Sequence, residues 1–352
     1  MTSLESRTIA TPRLKTHVWV AGSPDKPAVL LLHGNASSAV FFDRVQADLG
    51  ADHFVVAPDM RGYGKSETKP VDATRGVRDF SDDLAQLLAS PELGLAAGAA
   101  VHVVGWSAGG NVAMQLALDH GERVASLTLI NPGSPYGYGA TKGLDGEPCY
   151  SDYAGCGGGL GNPTFIAMIE ANDTSADDPS APRNVMNTFY WKPPFRPESE
   201  ELYLSGLLDT ATGPGNYPGD STTSDNWPGL APGVTGMNNA LSPKYLNQAG
   251  IVELADKPPI LWVRGADDQI VSDRSMFDVA VLGEFGVFPG WPGAEVFPAQ
   301  PMVSQTRAVF DRYREAGGRC EEVVFEDCGH GPHIEKHDQF MDTLRGFLSA
   351  RG

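Results

Sequence analysis

The stretch VHVVGWSAGGNVAMQLAL, residues 101–118, decides the fold. Its first residues are apolar and mostly β-branched, as in a buried strand, and its last residues are small and apolar, as in a buried helix. Ser107 stands between Gly105 and Gly109 at the junction, where glycine lets the strand and the helix approach closely. Such a corner strains the central backbone and presents the serine hydroxyl beside free helix N–H groups, although a serine there could also be a simple N-cap.

Composition excludes several classes of protein. The chain of 352 residues has 26 Lys and Arg against 44 Asp and Glu, a net charge of −18. This charge argues against binding to nucleic acid or to an anionic membrane. No apolar run is long enough to span a bilayer, and the first 15 residues lack the apolar core of a secretory signal. We therefore expect a cytoplasmic protein, in which Cys149 and Cys156 are more often free thiols than a disulfide.

Short apolar runs alternate with helical patterns along the chain. Strands that alternate with helices predict an α/β fold, with a doubly wound and mostly parallel sheet. A parallel sheet that is covered on both faces has strands that are apolar throughout, as these are. The predicted strands are 28–33, 53–58, 101–104, 126–130, 259–265 and 322–327, and the clearest helical patterns are 79–90, 110–121, 304–318 and 337–351.

A long segment without clear strands interrupts this alternation. It is rich in glycine and proline but also in aromatic residues, which favours a folded lid over disorder. Weak helical patterns occur near 163–172 and 198–209, and a second irregular insertion covers 282–302. We predict an α/β core in two parts, residues 1–132 and 251–352, with a lid or cap at 133–250 between them.

A serine nucleophile needs a hole for the oxyanion that forms when it attacks a carbonyl. One donor would be the backbone N–H of Ala108, directly after the serine. The second would come from the turn after the first buried strand, LLLHGN, where Asn35 lies. His33 in the same turn is more often a hydrogen-bonded structural histidine than a catalytic one.

The serine also needs a base. His330 follows the last predicted strand directly, in the glycine-rich turn of EDCGHGPHIEKH. His333 and His337 have the i, i+4 spacing of a zinc site, but no glutamate follows His333 and no further ligands are evident, so we expect no metal. Four other histidines begin strands or end helices, where satisfied surface residues are the better interpretation: His17, His53, His102 and His120.

The base in turn needs a carboxylate that orients it. Asp267 and Asp268 follow the predicted strand PILWVRG, although adjacent carboxylates in such a place are also common turn residues. The order serine, aspartate, histidine along the chain is the one expected for this sheet topology.

Together these motifs resemble the α/β-hydrolase fold of serine hydrolases. The similarity rests on HGNASS, DMRGYGKS, GWSAGG, GADDQIV and CGHGPHIEKHDQF, in that order, and covers about residues 17–132 and 255–350. The resemblance implies Ser107 as nucleophile, Asp268 as acid, His330 as base, and the backbones of Asn35 and Ala108 as oxyanion donors. A serine at this strand–helix corner disfavours epoxide hydrolysis and dehalogenation, because the members of the family that catalyse those reactions have an aspartate there.

The function predicted on this basis is cleavage of a small-molecule carboxylic ester or lactone through an acyl-enzyme, without a cofactor. Four alternatives share the same residues: an amidase or peptidase, a C–C hydrolase, an acyltransferase, and a ligand receptor built on the hydrolase fold. The lid resembles no particular subfamily. The sequence therefore leaves the natural substrate and the oligomeric state open.

Overall fold

The computed structural model describes residues 4–350, and its centre is an eight-stranded sheet. The strand order is β1-β2-β4-β3-β5-β6-β13-β14, where β1 and β2 pair antiparallel, β2 pairs antiparallel with β4, and all further neighbours are parallel. The predicted mostly parallel sheet is confirmed. Its strands are β1 Glu5–Ala10, β2 Lys15–Ala21, β3 Ala28–Leu32, β4 Phe54–Pro58, β5 Val101–Trp106, β6 Val124–Ile130, β13 Ile260–Gly265 and β14 Cys320–Phe325.

Helices cover both faces of this sheet. Alternate residues of the central strands belong to two separate apolar clusters, as expected when both faces are packed: Leu30 and Val103 lie in one, Leu31 and Val104 in the other. The helices are α1 Asp43–Leu49, α2 Arg78–Ala89, α3 Ala108–Asp119, α4 Pro163–Glu170, α5 Pro182–Val185, α6 Glu200–Leu208, α7 Met237–Ala240, α8 Val279–Glu284, α9 Met302–Glu315, α10 Pro332–Glu335 and α11 His337–Ser349.

The sequence pattern did not predict β1 and β2. They form an antiparallel hairpin at the sheet edge. In β1 only Ile9 is buried, and β2 begins with the polar residues Lys15, Thr16 and His17, so a search for continuously apolar runs overlooks both strands. The prediction for the last strand, 322–327, is two residues late at both ends, since the strand begins at Cys320 and ends at Phe325. The other predicted strands begin and end within two residues of the observed ones.

Residues 133–250 contain short elements only. Helices α4 and α6 lie where weak helical patterns predicted them. Six strands of two or three residues, which the pattern did not predict, join in three small pairs: β7 Thr141–Lys142 with β8 Glu147–Pro148, β9 Thr212–Gly213 with β10 Tyr217–Pro218, and β11 Ser221–Thr223 with β12 Leu230–Pro232. The division into a core and a lid stays a prediction.

Two further features bear on the expectations from composition. Among residues 4–350, no helix combines the length and the apolar character that crossing a bilayer requires. All four cysteines are free thiols: Cys149, Cys156, Cys320 and Cys328.

Candidate active site

Ser107 forms a tight corner between β5 and α3. Its backbone angles, φ 55° and ψ −125°, lie in a region that non-glycine residues rarely adopt. A Cβ atom at Gly105 would lie 2.4 Å from the carbonyl oxygen of Gly109, and one at Gly109 would lie 2.3 Å from that of Leu32. The two glycines are therefore required by close backbone packing, as the sequence predicted.

A cavity of about 490 Å³ opens above this corner, and both Ser107 and His330 line it. Much of its wall comes from apolar side chains of residues 133–250 and of the insertion that follows β13. None of the described residues that line it is Lys or Arg. Large apolar lining residues include Leu160, Phe165, Val185, Phe189, Tyr190, Tyr217, Leu241, Ile270, Met276 and Phe277.

His330 and Asp268 are paired inside the protein. Nδ1 of His330 lies 2.7 Å from Oδ2 of Asp268, and both side chains are 2% exposed. The other carboxylate oxygen of Asp268 accepts hydrogen bonds from the backbone N–H groups of Ile270 and Val271, at 2.8 and 3.1 Å. The turn thus fixes the carboxylate, and the carboxylate fixes the imidazole. Nε2 of His330 is the ring nitrogen left for chemistry.

The loop that carries His330 is held from the strand ends. The carbonyl oxygen of His330 accepts hydrogen bonds from Nε1 of Trp106 at 2.8 Å and from Nδ2 of Asn131 at 2.7 Å. Within residues 4–350 the hydroxyl of Ser107 makes no hydrogen bond, although both this residue and His330 line the cavity. Bonds between catalytic groups often form only in the substrate complex.

The two residues that carry the predicted oxyanion donors, Asn35 and Ala108, both line the cavity. Ala108 is the first residue of α3, so its N–H has no acceptor within the helix. In the described part of the chain, neither this N–H nor that of Asn35 donates to a protein acceptor. The turn that contains Asn35 lies close to Ser107, since a Cβ atom at Gly34 would be only 3.1 Å from Cβ of Ser107.

Two of the other histidines, His33 and His337, hydrogen-bond to neighbouring groups. His33 is fully buried, with its Nδ1 donating to the carbonyl oxygen of Gly34 and its Nε2 accepting from the N–H of Met60. Burial lowers the pKa of His33 to about 4 and that of His333 to about 3. His337 contacts Asp48, and in residues 4–350 no three His, Cys, Asp or Glu side chains converge as a metal site would need.

His17 corrects the expectation of a surface histidine, because it is 3% exposed. Its ring joins Oγ of Ser6 at 2.8 Å to the Asp59 carboxylate at 2.7 Å, the same chain of bonds as in a catalytic triad. Ser6 lies on an exposed edge strand, however, and does not line the cavity. Hydrogen bonding alone therefore does not make a catalytic site.

The family follows from comparison with known proteins. A model of the alpha/beta hydrolase family matches residues 29–343. The chain belongs to this family. It is 41% identical over 119 residues to a putative carbamate hydrolase, RutD, of Variovorax paradoxus, a match that covers 33% of this chain and 41% of the relative. It is 30% identical over 178 residues to 2-hydroxymuconate semialdehyde hydrolase of a Pseudomonas species, covering 50% and 54%.

Solved structures agree with the α/β-hydrolase fold. The esterase RhEst1 of a Rhodococcus species superimposes with a TM-score of 0.59 over 99% of this chain and all of that one, at 18% identity. Identity this low supports the fold alone. The chain spans about half or less of the length of the two curated relatives.

Sequence reasoning missed four side chains that surround the site. Tyr63, Tyr190 and Asn238 hydrogen-bond the turn that contains Asn35, and Glu335 accepts from the backbone beside His330. Tyr63 and Glu335 lie inside the motifs DMRGYGKS and CGHGPHIEKH. Asn238 and Tyr190 lie in the irregular segment, where no periodic pattern marks them.

Proposed function

We propose that this protein hydrolyses a neutral carboxylic ester or lactone through an acyl-enzyme on Ser107. The observation that carries the proposal is one cavity that is lined both by a strained serine and by the histidine of a buried histidine–aspartate pair. This arrangement supplies a nucleophile, a base and an orienting acid in one place. The roles of the five residues follow from it.

The reaction has two stages. Oγ of Ser107 attacks the carbonyl carbon while Nε2 of His330 takes the hydroxyl proton, and the N–H groups of Asn35 and Ala108 stabilise the oxyanion. The C–O bond to the alcohol then breaks, and the leaving alkoxide takes the proton from His330. Water, deprotonated by His330, attacks the acyl-serine. Collapse of the second oxyanion breaks the bond to Oγ of Ser107, which takes the proton from His330, and the acid is released. Asp268 stabilises the imidazolium in both stages.

The lining of the cavity favours a neutral substrate. Apolar side chains supply binding energy for an acyl group by burial, whereas a substrate carboxylate needs a cation that the described lining lacks. Asp278 is the only acidic residue among the described lining residues. Burial raises its pKa to about 6. We also propose that residues 133–250 act as a lid, since they supply much of this apolar wall.

A second candidate is cleavage of a C–C bond by the same residues. It is favoured by the similarity to 2-hydroxymuconate semialdehyde hydrolase, which covers half of this chain. Because the chain is also similar to a putative carbamate hydrolase, carbamates are a further substrate class to assay. C–C cleavage and carbamate hydrolysis each break a different bond from ester hydrolysis, so the products distinguish the three reactions.

The experiment compares p-nitrophenyl butyrate with p-nitrophenyl hemisuccinate, which has nearly the same length but carries a carboxylate. We expect multiple turnovers on the butyrate and a kcat/KM at least about tenfold lower on the hemisuccinate, because its charge is desolvated without a partner. Mass spectrometry of the stopped reaction should find the acyl group on the Ser107 peptide. Ring-fission semialdehydes and N-alkyl carbamates are assayed in parallel.

Two variants serve as controls. Ser107→Ala should lose turnover by about 10⁵-fold while keeping the fold, as expected when a nucleophile is removed. Ser6→Ala removes the serine of the other Ser–His–Asp arrangement and should keep full activity. Retention of more than about a tenth of the activity by Ser107→Ala contradicts the acyl-enzyme proposal.

A further inference from the structure

The side-chain amide of Asn35 is held at both ends. The hydroxyl of Tyr63 donates to Oδ1 of Asn35 at 2.7 Å, and Nδ2 of Asn35 donates to Oδ1 of Asn238 at 2.9 Å. These bonds leave the amide one orientation. Because this side chain belongs to the residue whose N–H is the proposed oxyanion donor, its partners also restrain the backbone there.

Asn238 comes from the proposed lid, and its own position is rigid. It lies in the short helix α7, whose start is tied to the core. The N–H of Gly236 donates to the carbonyl oxygen of Val71, in the core, at 3.0 Å. The N–H of Met237 donates to the carbonyl oxygen of Asn216, in the same segment 133–250, at 2.7 Å. Asn238 is therefore an acceptor fixed in space rather than a side chain of a loose surface loop.

The turn itself is strained and needs such support. Ala36 has φ 44°, which costs about 1 kcal/mol or more for a residue with a Cβ. Its N–H donates to Oδ1 of Asn35 at 3.0 Å, and its carbonyl oxygen accepts from the hydroxyl of Tyr190 at 2.9 Å. Tyr190 is also a residue of 133–250, so two side chains of this segment hold the turn in a conformation that it would not keep alone.

We infer that Asn238 is a positioning residue for the oxyanion hole, acting through the Asn35 side chain. The segment 133–250 then has a second role besides covering the cavity, because it completes the geometry on which the transition state depends. This inference rests on the proposed function, in which the Asn35 N–H binds the oxyanion. It assigns Asn238 no contact with the reacting atoms.

The expected kinetic signature follows from where the oxyanion exists. Charge on the carbonyl oxygen develops in the transition state, so a displaced N–H raises the barrier while substrate binding changes little. Complete loss of one such donor costs about 10²–10³ in kcat. A donor that is only mobile should cost less, roughly 10- to 100-fold.

The test measures kcat and KM of Asn238→Ala on p-nitrophenyl butyrate. We expect kcat to fall about 10- to 100-fold with KM within about threefold of wild type. The matched control is Asn247→Ala, an exposed asparagine of the same segment that caps the N–H of Ala249 and does not line the cavity. It should keep wild-type kcat. Thermal unfolding of both variants checks that each is folded.

Two further measurements separate positioning from general structural damage. Asn35→Ala keeps the N–H but removes the amide, so adding Asn238→Ala to it should cause little further loss in kcat. A trifluoromethyl ketone, which forms a tetrahedral adduct with a serine, should lose affinity for Asn238→Ala in proportion to kcat/KM. Tyr63→Phe frees the other end of the same amide and should change kcat in the same direction.

The outcomes distinguish the inference from the function beneath it. If the wild type turns over butyrate through acyl-Ser107 and Asn238→Ala keeps its kcat, the positioning role is wrong and the function stands. The role is also wrong if losses from Asn35→Ala and Asn238→Ala multiply, because the residues then act independently. If the wild type forms no acyl-Ser107, the proposed function itself fails.

Discussion

Asp267 and Asp268 are neighbours in the chain, yet their carboxylates have different partners. Oδ2 of Asp268 contacts Nδ1 of His330 at 2.7 Å inside the protein. Oδ2 of Asp267 contacts Nζ of Lys192 at 2.9 Å, and its side chain is 44% exposed. The turn after β13 therefore assigns one carboxylate to the imidazole and the other to an ion pair with the segment 133–250.

Substitution of each aspartate by asparagine should give very different results. Asp268→Asn removes the charge that stabilises the imidazolium and favours the wrong histidine tautomer, which costs roughly 10⁴ in rate in a well-studied triad. Asp267→Asn removes a half-exposed ion pair worth at most about 1 kcal/mol, so activity should stay within about tenfold. Steady-state kinetics on p-nitrophenyl butyrate measures both. If Asp267→Asn is the more damaged variant, the assignment of the acid is wrong.

The corner at Ser107 predicts which glycines tolerate a methyl group. Gly109→Ala places a Cβ 2.3 Å from the carbonyl oxygen of Leu32, so we expect a loss of at least about 1–3 kcal/mol in the free energy of unfolding. Gly346→Ala is the control, since this exposed glycine lies in α11 with open space around it. It should stabilise by about 0.5–1 kcal/mol, because alanine is the better helix former. Urea unfolding measures both changes, and equal stabilities of the two variants would contradict the packing argument.

Buried histidines predict that the protein loses stability in mild acid. His333 packs against the rings of Phe42 and Trp106, and burial lowers its pKa from 6.5 to about 3. A folded pKa below the unfolded one means that the unfolded chain binds more protons, so this stability is present above about pH 6.5 and is lost as the pH falls toward 3. Between pH 7 and pH 5 the loss from His333 alone is roughly 2 kcal/mol.

The test for this effect is the slope of stability with pH. His333→Phe cannot take up a proton in either state, so its free energy of unfolding should fall less between pH 7 and pH 5 than that of the wild type. The slope is the readout because the extra size of phenylalanine shifts the stability at every pH alike. Identical slopes would show that His333 does not contribute to acid lability.

The sequence predicted the parts of the fold that are marked by a regular hydrophobic pattern or by a short motif. Continuous apolar runs marked the parallel strands, and the motif around Ser107 marked the corner, because close backbone packing leaves glycine as the only choice there. The choice of Asp268 rather than Asp267 as the partner of His330 came from the family resemblance. In the structure the carboxylate of Asp268 lies 2.7 Å from Nδ1 of His330, and its role as the acid stays a prediction.

The rest depends on contacts between residues far apart in the chain. Asn238 meets Asn35 across 203 positions, and Tyr190 meets Ala36 across 154, through segments with no regular period. The partners of such residues are set by how the insertion folds back over the sheet. The sequence shows that an insertion exists and that its aromatic residues pack, but it contains no local pattern for the turn that they support.

Glu335 gives the last prediction, because one half-buried carboxylate joins the His330 loop to the segment 133–250. It accepts from the N–H of Gly329 at 3.0 Å and from the N–H of Lys192 at 2.6 Å. Glu335→Ala leaves both N–H groups without this acceptor, which should cost about 1–3 kcal/mol of stability and lower kcat by loosening the base. Glu335→Gln keeps one acceptor oxygen and should fall between the wild type and Glu335→Ala. Glu326→Ala, at an exposed position, is the control for thermal unfolding and kinetics. The prediction is wrong if Glu335→Ala and Glu326→Ala behave alike.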